Sequence, residues 1–135
     1  MTREIKFKFY EKKGNSYESR LSEDYLLDSE GRVYSANFGD NYLSDNGIDM
    51  IAVQYTGLKD KNGREIYEGD IVKIIQKNET FLDKVIYDNH LCGFRFEGLI
   101  NHYCDFCDWL REGAEFEVVG DIYQNPELLK EEKND

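Results

Sequence analysis

Residues 55–75 read YTGLKDKNGREIYEGDIVKII. Asp60-Lys61-Asn62-Gly63 is a hairpin signal, because Asn and Gly tolerate positive φ. Arg64-Glu65-Ile66-Tyr67 then returns, and Glu68-Gly69-Asp70 makes a second tight turn. Ile71-Val72-Lys73-Ile74-Ile75 is β-branched at four of five positions, which predicts a strand with much of both faces covered. Gly57, Gly63 and Gly69 are spaced by six and at first suggest a loop that cradles a ligand. Turn geometry explains them better. A calcium-loop register around Asp60 puts Leu58 and Gly69 where carboxylates are needed. The same test around Asp45-Asn46-Gly47 puts Tyr42 and Val53 there, so both registers fail.

Working outward, the pattern stays β. Ile5, Phe7 and Phe9 alternate with Lys6, Lys8 and Tyr10, predicting a half-buried strand with its lysines in water. Lys13-Gly14-Asn15-Ser16 reads as a turn. Tyr25–Leu27 and Arg32–Tyr34 flank Asp28-Ser29-Glu30-Gly31, predicting a hairpin with Gly31 left-handed. Residues 37–49 are polar, rich in Gly and Asn, and read as a surface loop. Met50–Tyr55 is the next strand, with Ile51, Val53 and Tyr55 on one face. Beyond the turn at Gln76–Thr80 come Lys84–Tyr87, a turn at Asp88-Asn89, and Cys92, Phe94 and Phe96 in alternation. Asp105 caps a short helix to Arg111, with Phe106, Trp109 and Leu110 on one side. Phe116–Tyr123 alternates as a last strand, and Asn125-Pro126-Glu127 starts a helical turn. The expected fold is mainly β: an SH3-like small β-barrel with an additional N-terminal β region and short helical turns. The expected division is an N-terminal β region over 1–54, a barrel core with a C-terminal helical turn over 55–129 and a charged tail over 130–135, all one structural unit.

Charge narrows the partners. The chain has 135 residues and a net charge of -11. Residues 1–20 hold six Lys/Arg against three Asp/Glu, whereas residues 80–135 hold five against thirteen. A phosphate backbone attracts a basic stripe, so direct nucleic-acid binding is disfavoured except at the amino terminus. Protein partners with basic surfaces match better. No apolar run approaches the roughly 20 residues that cross a bilayer, and no signal-peptide core follows Met1, so no membrane association is expected. Three cysteines, an odd number, argue against a disulfide framework and for a reducing cytoplasm.

One cluster has the chemistry of a metal site. His90, Cys92, His102, Cys104 and Cys107 lie within eighteen residues, and Cys104-x2-Cys107 has zinc-knuckle spacing. Against it, Cys92 shares the alternation of Phe94 and Phe96 and reads as core, with His90 on the same strand face. Cys107 stands between aromatic neighbours in the helical turn. The expectation is no bound metal and no cofactor. No catalytic motif is present: neither G-x-S-x-G, nor H-E-x-x-H, nor a phosphate loop. Asp105, Asp108, Glu112, Glu115 and Glu117 read as a solvated face, with mimicry of a nucleic-acid backbone as the alternative. Lys59, Lys61 and Arg64 form a local positive cluster on the hairpin and are the candidate interaction surface.

The stretch Tyr55-Thr56-Gly57-Leu58-Lys59-Asp60-Lys61-Asn62-Gly63 and Glu65-Ile66-Tyr67-Glu68-Gly69-Asp70-Ile71-Val72 resembles the hallmark of the YopX family of bacteriophage and prophage proteins. Val118 to Leu128, VVGDIYQNPEL, resembles a second family block, with Asp121 where an asparagine is usual. The opening Arg3–Phe7 is a partial third match, followed by Lys8-Phe9-Tyr10-Glu11 where the family often has Arg and a Trp-Asp pair. The resemblance implies an SH3-like barrel with an added amino-terminal β region, a phage origin and a host-cytoplasmic location. It carries over no catalytic residue. The expected function is a non-enzymatic accessory protein acting through protein–protein contacts, with homo-oligomerisation as part of that expectation. The alternative is an acidic DNA mimic or a nucleic-acid-linked regulator of a host protein.

Overall fold

The computed structural model describes residues 4–20, 25–27, 29–30, 33–37, 42–45, 50–77, 79–90, 92–98, 106–111 and 113–129. Eleven strands and one short helix are formed by these residues, so the chain is mainly β, with curled, half-barrel sheets compatible with an SH3-like barrel. Two compact units divide it: Ile5–Gln54, and Tyr55–Asp135 together with Met1–Glu4. No helix among the described residues is long and apolar enough to cross a membrane.

In the Ile5–Gln54 unit, β1 (Phe7–Lys13) and β2 (Ser16–Arg20) form a hairpin in register Phe9↔Arg20 to Lys13↔Ser16. Gly14 turns it at φ +63, and the Ser16 hydroxyl donates to Lys13 O at 3.1 Å. β6 (Met50–Lys59) pairs with β1 through its first half, Met50 to Gln54. Phe9, Val33 and Met50 make a small core, with Phe7, Tyr25, Leu27 and Ala52 against it. The simple alternation expected of β1 does not hold. Phe9 and Tyr10 are both buried, at 4% and 3% exposure, while Ile5 precedes the strand and is 59% exposed. Adjacent strand residues point to opposite faces, so both faces of β1 are covered at this point.

The hairpin expected near residue 30 is present as β3 (Tyr25–Leu27) against β4 (Val33–Asn37). Gly31, assigned to its turn, lies outside the described residues. The loop expected over residues 37–49 is corrected in part: Tyr42–Asp45 forms β5 and pairs with β4 from Asn37↔Tyr42 to Tyr34↔Asp45. A polar segment with no hydrophobic period can still complete a ladder when a partner strand offers free backbone groups.

The second unit holds the larger core. β8 (Asp70–Gln76) lies between β9 (Glu79–Asp88) and β11 (Glu115–Asp121), and β10 (Gly93–Phe96) follows β9 at the other end. Val72 and Ile74 of β8, Val85 of β9, Phe96 of β10, and Phe116 and Val118 of β11 point into one cluster with Ile66, Phe106 and Trp109. Phe96, Phe106 and Phe116 meet edge to face, with centroids 4.8–5.7 Å apart, a geometry that adds to simple burial. The expected coverage of both faces of β8 is present: Ile71, Val72 and Ile74 are all fully buried. The strands run further than expected into the turn at Gln76–Thr80: β8 extends to Gln76, β9 begins at Glu79, and Lys77 adopts φ +51.

α1 (Phe106–Arg111) buries Phe106 and Trp109, but Leu110, expected on the same side, is 44% exposed. The helix ends in paired backward bonds, Gly113 N–H to Leu110 O and Ala114 N–H to Trp109 O, with Gly113 at φ +87, the arrangement glycine favours at a helix end. Asp105, its expected cap, lies outside the described residues. β11 stops at Asp121, so Ile122 and Tyr123 belong to the following turn rather than to the strand. Four strands follow Tyr67 among the described residues.

Candidate functional site

The residues of greatest sequence interest are brought together by the Tyr55–Asp135 unit. β7 (Glu65–Tyr67) returns against the second half of β6, with Tyr55↔Tyr67 and Lys59↔Glu65 as partners. Four steps on β6 therefore oppose two on β7, and the surplus forms a bulge. Gly57 sits in it at φ +93. Thr56 fills the gap in the ladder: its hydroxyl donates to Ile66 O at 2.8 Å and accepts the Leu58 N–H at 3.2 Å. The rings of Tyr55 and Tyr67 pack together beside it in a tilted arrangement, with centroids 5.5 Å apart.

At the tip, Asp60 does more than start a turn. Its Oδ1 accepts the N–H of Asn62 and of Arg64, both at 2.9 Å, and its Oδ2 accepts the N–H of Val118 at 2.9 Å. Lys61 N–H adds a bond to Phe116 O at 2.9 Å. The hairpin is thus tied to β11, 58 residues away in the chain. Burial works to raise the Asp60 pKa, yet the N–H groups of Val118, Arg64 and Asn62, with the Arg64 charge, outweigh it. The carboxyl is held below its ordinary value.

The second turn makes a parallel connection. Asp70 Oδ2 accepts the Tyr67 N–H at 2.7 Å and closes the turn at Glu68-Gly69. Gly69 N–H donates to Val85 O, and Gly69 O accepts the Ile122 N–H, both at 2.9 Å. With φ +88, and with the space of a Cβ lying 2.9 Å from Tyr123 Cε2, this position requires glycine. Asp70 itself lies opposite Asp121 in the β8–β11 ladder. Asp121 Oδ1 accepts the N–H of Tyr123 and Gln124 at 3.0 and 2.7 Å, and Asp121 N–H donates back to Asn125 Oδ1 at 3.2 Å. An Asn side chain offers the same carbonyl acceptor, so aspartate at 121 leaves this turn intact. Asn125, at the start of the expected helical turn, thus turns its side chain back to Asp121.

Among the described residues of this unit, Asp83 is the other carboxyl with a displaced pKa. Burial pushes it up, against the N–H bonds from Lys84 at 2.8 Å and Gly98 at 2.8 Å; the charge of Glu97 adds to the rise and that of Lys84 opposes it. A raised, buried carboxyl is a common mark of acid–base catalysis. Here each oxygen is already occupied by a backbone N–H and the group is shielded from solvent, so its geometry is structural. Nothing in the sequence distinguishes Asp83 from the other 27 acidic residues.

Of the candidate surface, Lys59, Lys61 and Arg64 are all exposed on the hairpin. Lys61 Nζ lies 3.9 Å from Glu117 Oε2, which offsets part of its charge. Of the candidate metal ligands, His90 and Cys92 lie in the turn between β9 and β10, not on a strand. Cys92 is exposed, not core as the alternation implied, and takes φ +55. The alternation fails because the strand begins only at Gly93. The His90 N–H donates to Asp88 Oδ1 at 2.8 Å, and the Cys92 thiol to Asn89 O at 3.6 Å. His102 and Cys104 lie outside the described residues, as does the side chain of Cys107. No group of three or more His, Cys, Asp or Glu side chains is arranged to hold a metal among the described residues.

Residues 4–130 match the family model described as YopX protein. The chain belongs to the YopX family. The crystal structure of protein EF1440 from Enterococcus faecalis superposes with a TM-score of 0.60 at 24% identity, covering 95% of this chain and 99% of that one. That likeness is one of fold. No curated protein matches the chain. The two blocks that carry the YopX resemblance, Tyr55–Val72 and Val118–Leu128, are the two halves of the bonded network around Asp60, Gly69 and Asp121. The most recognisable text of this YopX-family chain therefore encodes a structural lock.

Proposed function

We propose that this YopX-family chain is a non-enzymatic accessory protein of phage or prophage origin, acting in the bacterial host cytoplasm through protein–protein contacts, including contacts between its own copies. The observation that carries the reading is the use of the buried carboxylates. Asp60, Asp70, Asp83 and Asp121 each spend acceptor oxygens on backbone N–H groups. A general base needs a lone pair within reach of substrate, and these carboxylates are engaged in holding backbone segments in place. What the hairpin offers to a partner is its exposed rim, Lys59, Lys61 and Arg64, on a tip made rigid by Asp60. Native mass measurement combined with pull-down from host lysate tests the reading. A partner or oligomer is expected, with capture weakened by the triple substitution Lys59→Ala, Lys61→Ala, Arg64→Ala. A lone monomer that retains nothing refutes it.

A second reading, an acidic mimic of a nucleic-acid backbone, is favoured by one feature: residues 80–135 alone carry five Lys/Arg against thirteen Asp/Glu. It predicts capture of a basic host protein that falls steeply with added salt. Salt-insensitive capture removes it.

A further inference from the structure

β10 pairs with β9 on one side and stands last in its sheet among the described strands. A terminal strand presents N–H and C=O groups on which another strand can pair. The register identifies them. Arg95 lies opposite Ile86, and in the same register the Glu97 N–H donates to Lys84 O at 3.1 Å. Bonded and non-bonded pairs alternate along an antiparallel ladder. The backbone groups of Gly93 and Arg95 and the Glu97 N–H therefore face β9, while the backbone groups of Phe94 and Phe96 turn outward.

The Arg95 side chain links Asp88 of β9 to the outward carbonyl of Phe96. Its Nη1 donates to Phe96 O at 2.7 Å and to Glu97 O at 2.9 Å. Its Nε donates to Asp88 Oδ2 at 2.5 Å. The two side chains are only 15% and 14% exposed, so the head is held in place rather than swinging in water. A planar guanidinium can serve a carboxylate and two carbonyls at once, which an ammonium does poorly. Next to this edge, exposed Tyr87 and half-buried Phe94 pack edge to face with centroids 5.3 Å apart. An open edge beside aromatic surface is a template for association.

We infer that Arg95, anchored by Asp88, is a guard that closes the β10 edge against strand pairing with a second copy of the chain. The guard acts on the chain itself and is independent of which partner the hairpin rim binds. The test is the double variant Arg95→Met with Asp88→Asn. Met keeps the apolar stem, and Asn removes the charge that Arg95 offsets while keeping the acceptor for the His90 N–H. Light scattering across a dilution series reads the mass, and amide exchange by NMR reads the edge. The variant is expected at double the native mass or more at equal concentration, with exchange of the outward Phe94 N–H slowed by an order of magnitude or more. A mass equal to the native chain overturns the guard. So does a heavier species in which the Phe94 amide still exchanges freely, because association then proceeds through some other surface.

Discussion

Replacing Asp60 by alanine removes three acceptor contacts at once. The Val118 N–H is buried and has no water to replace the carboxylate; an orphaned buried donor costs about 1–3 kcal/mol. The N–H groups of Asn62 and Arg64 lie on the exposed tip, where water takes over and each loses roughly 0.5 kcal/mol. The total is about 3 kcal/mol. For a chain of 135 residues the entropy of unfolding is about 0.28 kcal/mol/K, so Tm falls by about 10 °C. Asp60→Asn is expected to cost somewhat less but to remain severe, because its amide must face one of the three donors. Trp109 is the sole tryptophan and is buried in the core of the same unit, so urea unfolding followed by its fluorescence reads the change directly. Acid provides a second arm. The folded pKa of Asp60 lies below its unfolded value of about 3.9, so the unfolded chain binds the proton more readily. The carboxylate's contribution is complete above that unfolded value and is lost as pH falls through the folded one. The stability gap between the native chain and Asp60→Asn is therefore expected to narrow in acid. A loss below about 1 kcal/mol for Asp60→Ala would show that the hairpin is not held to β11 in the way described.

Gly69→Ala is expected to destabilise by about 3 kcal/mol, combining left-handed strain with the contact against Tyr123, whereas Gly63→Ala, at φ +83 in open space, costs only about 1 kcal/mol; equal urea midpoints for the two variants would contradict this. Asp83 has the opposite acid signature from Asp60. Its folded pKa is raised, so its ionised form is a burden above that pKa, relieved as pH falls through it toward the unfolded value near 3.9. The native chain should therefore gain on Asp83→Asn as pH is lowered through this window, and a flat difference in denaturation free energy argues against the burial effect. Cys92 is exposed in its turn, so its thiol should react with a disulfide reagent in the native protein without denaturant; Cys92→Ser is expected to lower the fast-reacting thiol count by one, and an unchanged count refutes the placement.

Much of the fold was legible because local chemistry and tertiary need agree in the central stretch. Asn62-Gly63, Glu68-Gly69-Asp70 and the β-branched run from Ile71 predict their turns and strand without outside help, and Gly63 and Gly69 both adopt positive φ. Agreement failed where periodicity was weak. β5 carries no hydrophobic period and exists as a partner to β4. Cys92 continues an alternation whose strand has not yet begun, and a left-handed residue there resets the pattern. Leu110 completes an apolar stripe on a helix of only six residues, too short to cover every apolar neighbour.

The candidate site divides in the same way. Sequence alone determined the β class, the family blocks, the acidic charge and the exposed hairpin cations, because composition, turn preference and strand period act over a few residues. Tertiary structure decided what the blocks are for. That Asp60 accepts the N–H of Val118, that Gly69 must leave room for Tyr123, and that Arg95 joins Asp88 of β9 to the Phe96 carbonyl of β10 are contacts set by which strands lie side by side. An aspartate reads the same in a sequence whether it faces water or holds two distant segments together; only burial and the donors around it distinguish the two.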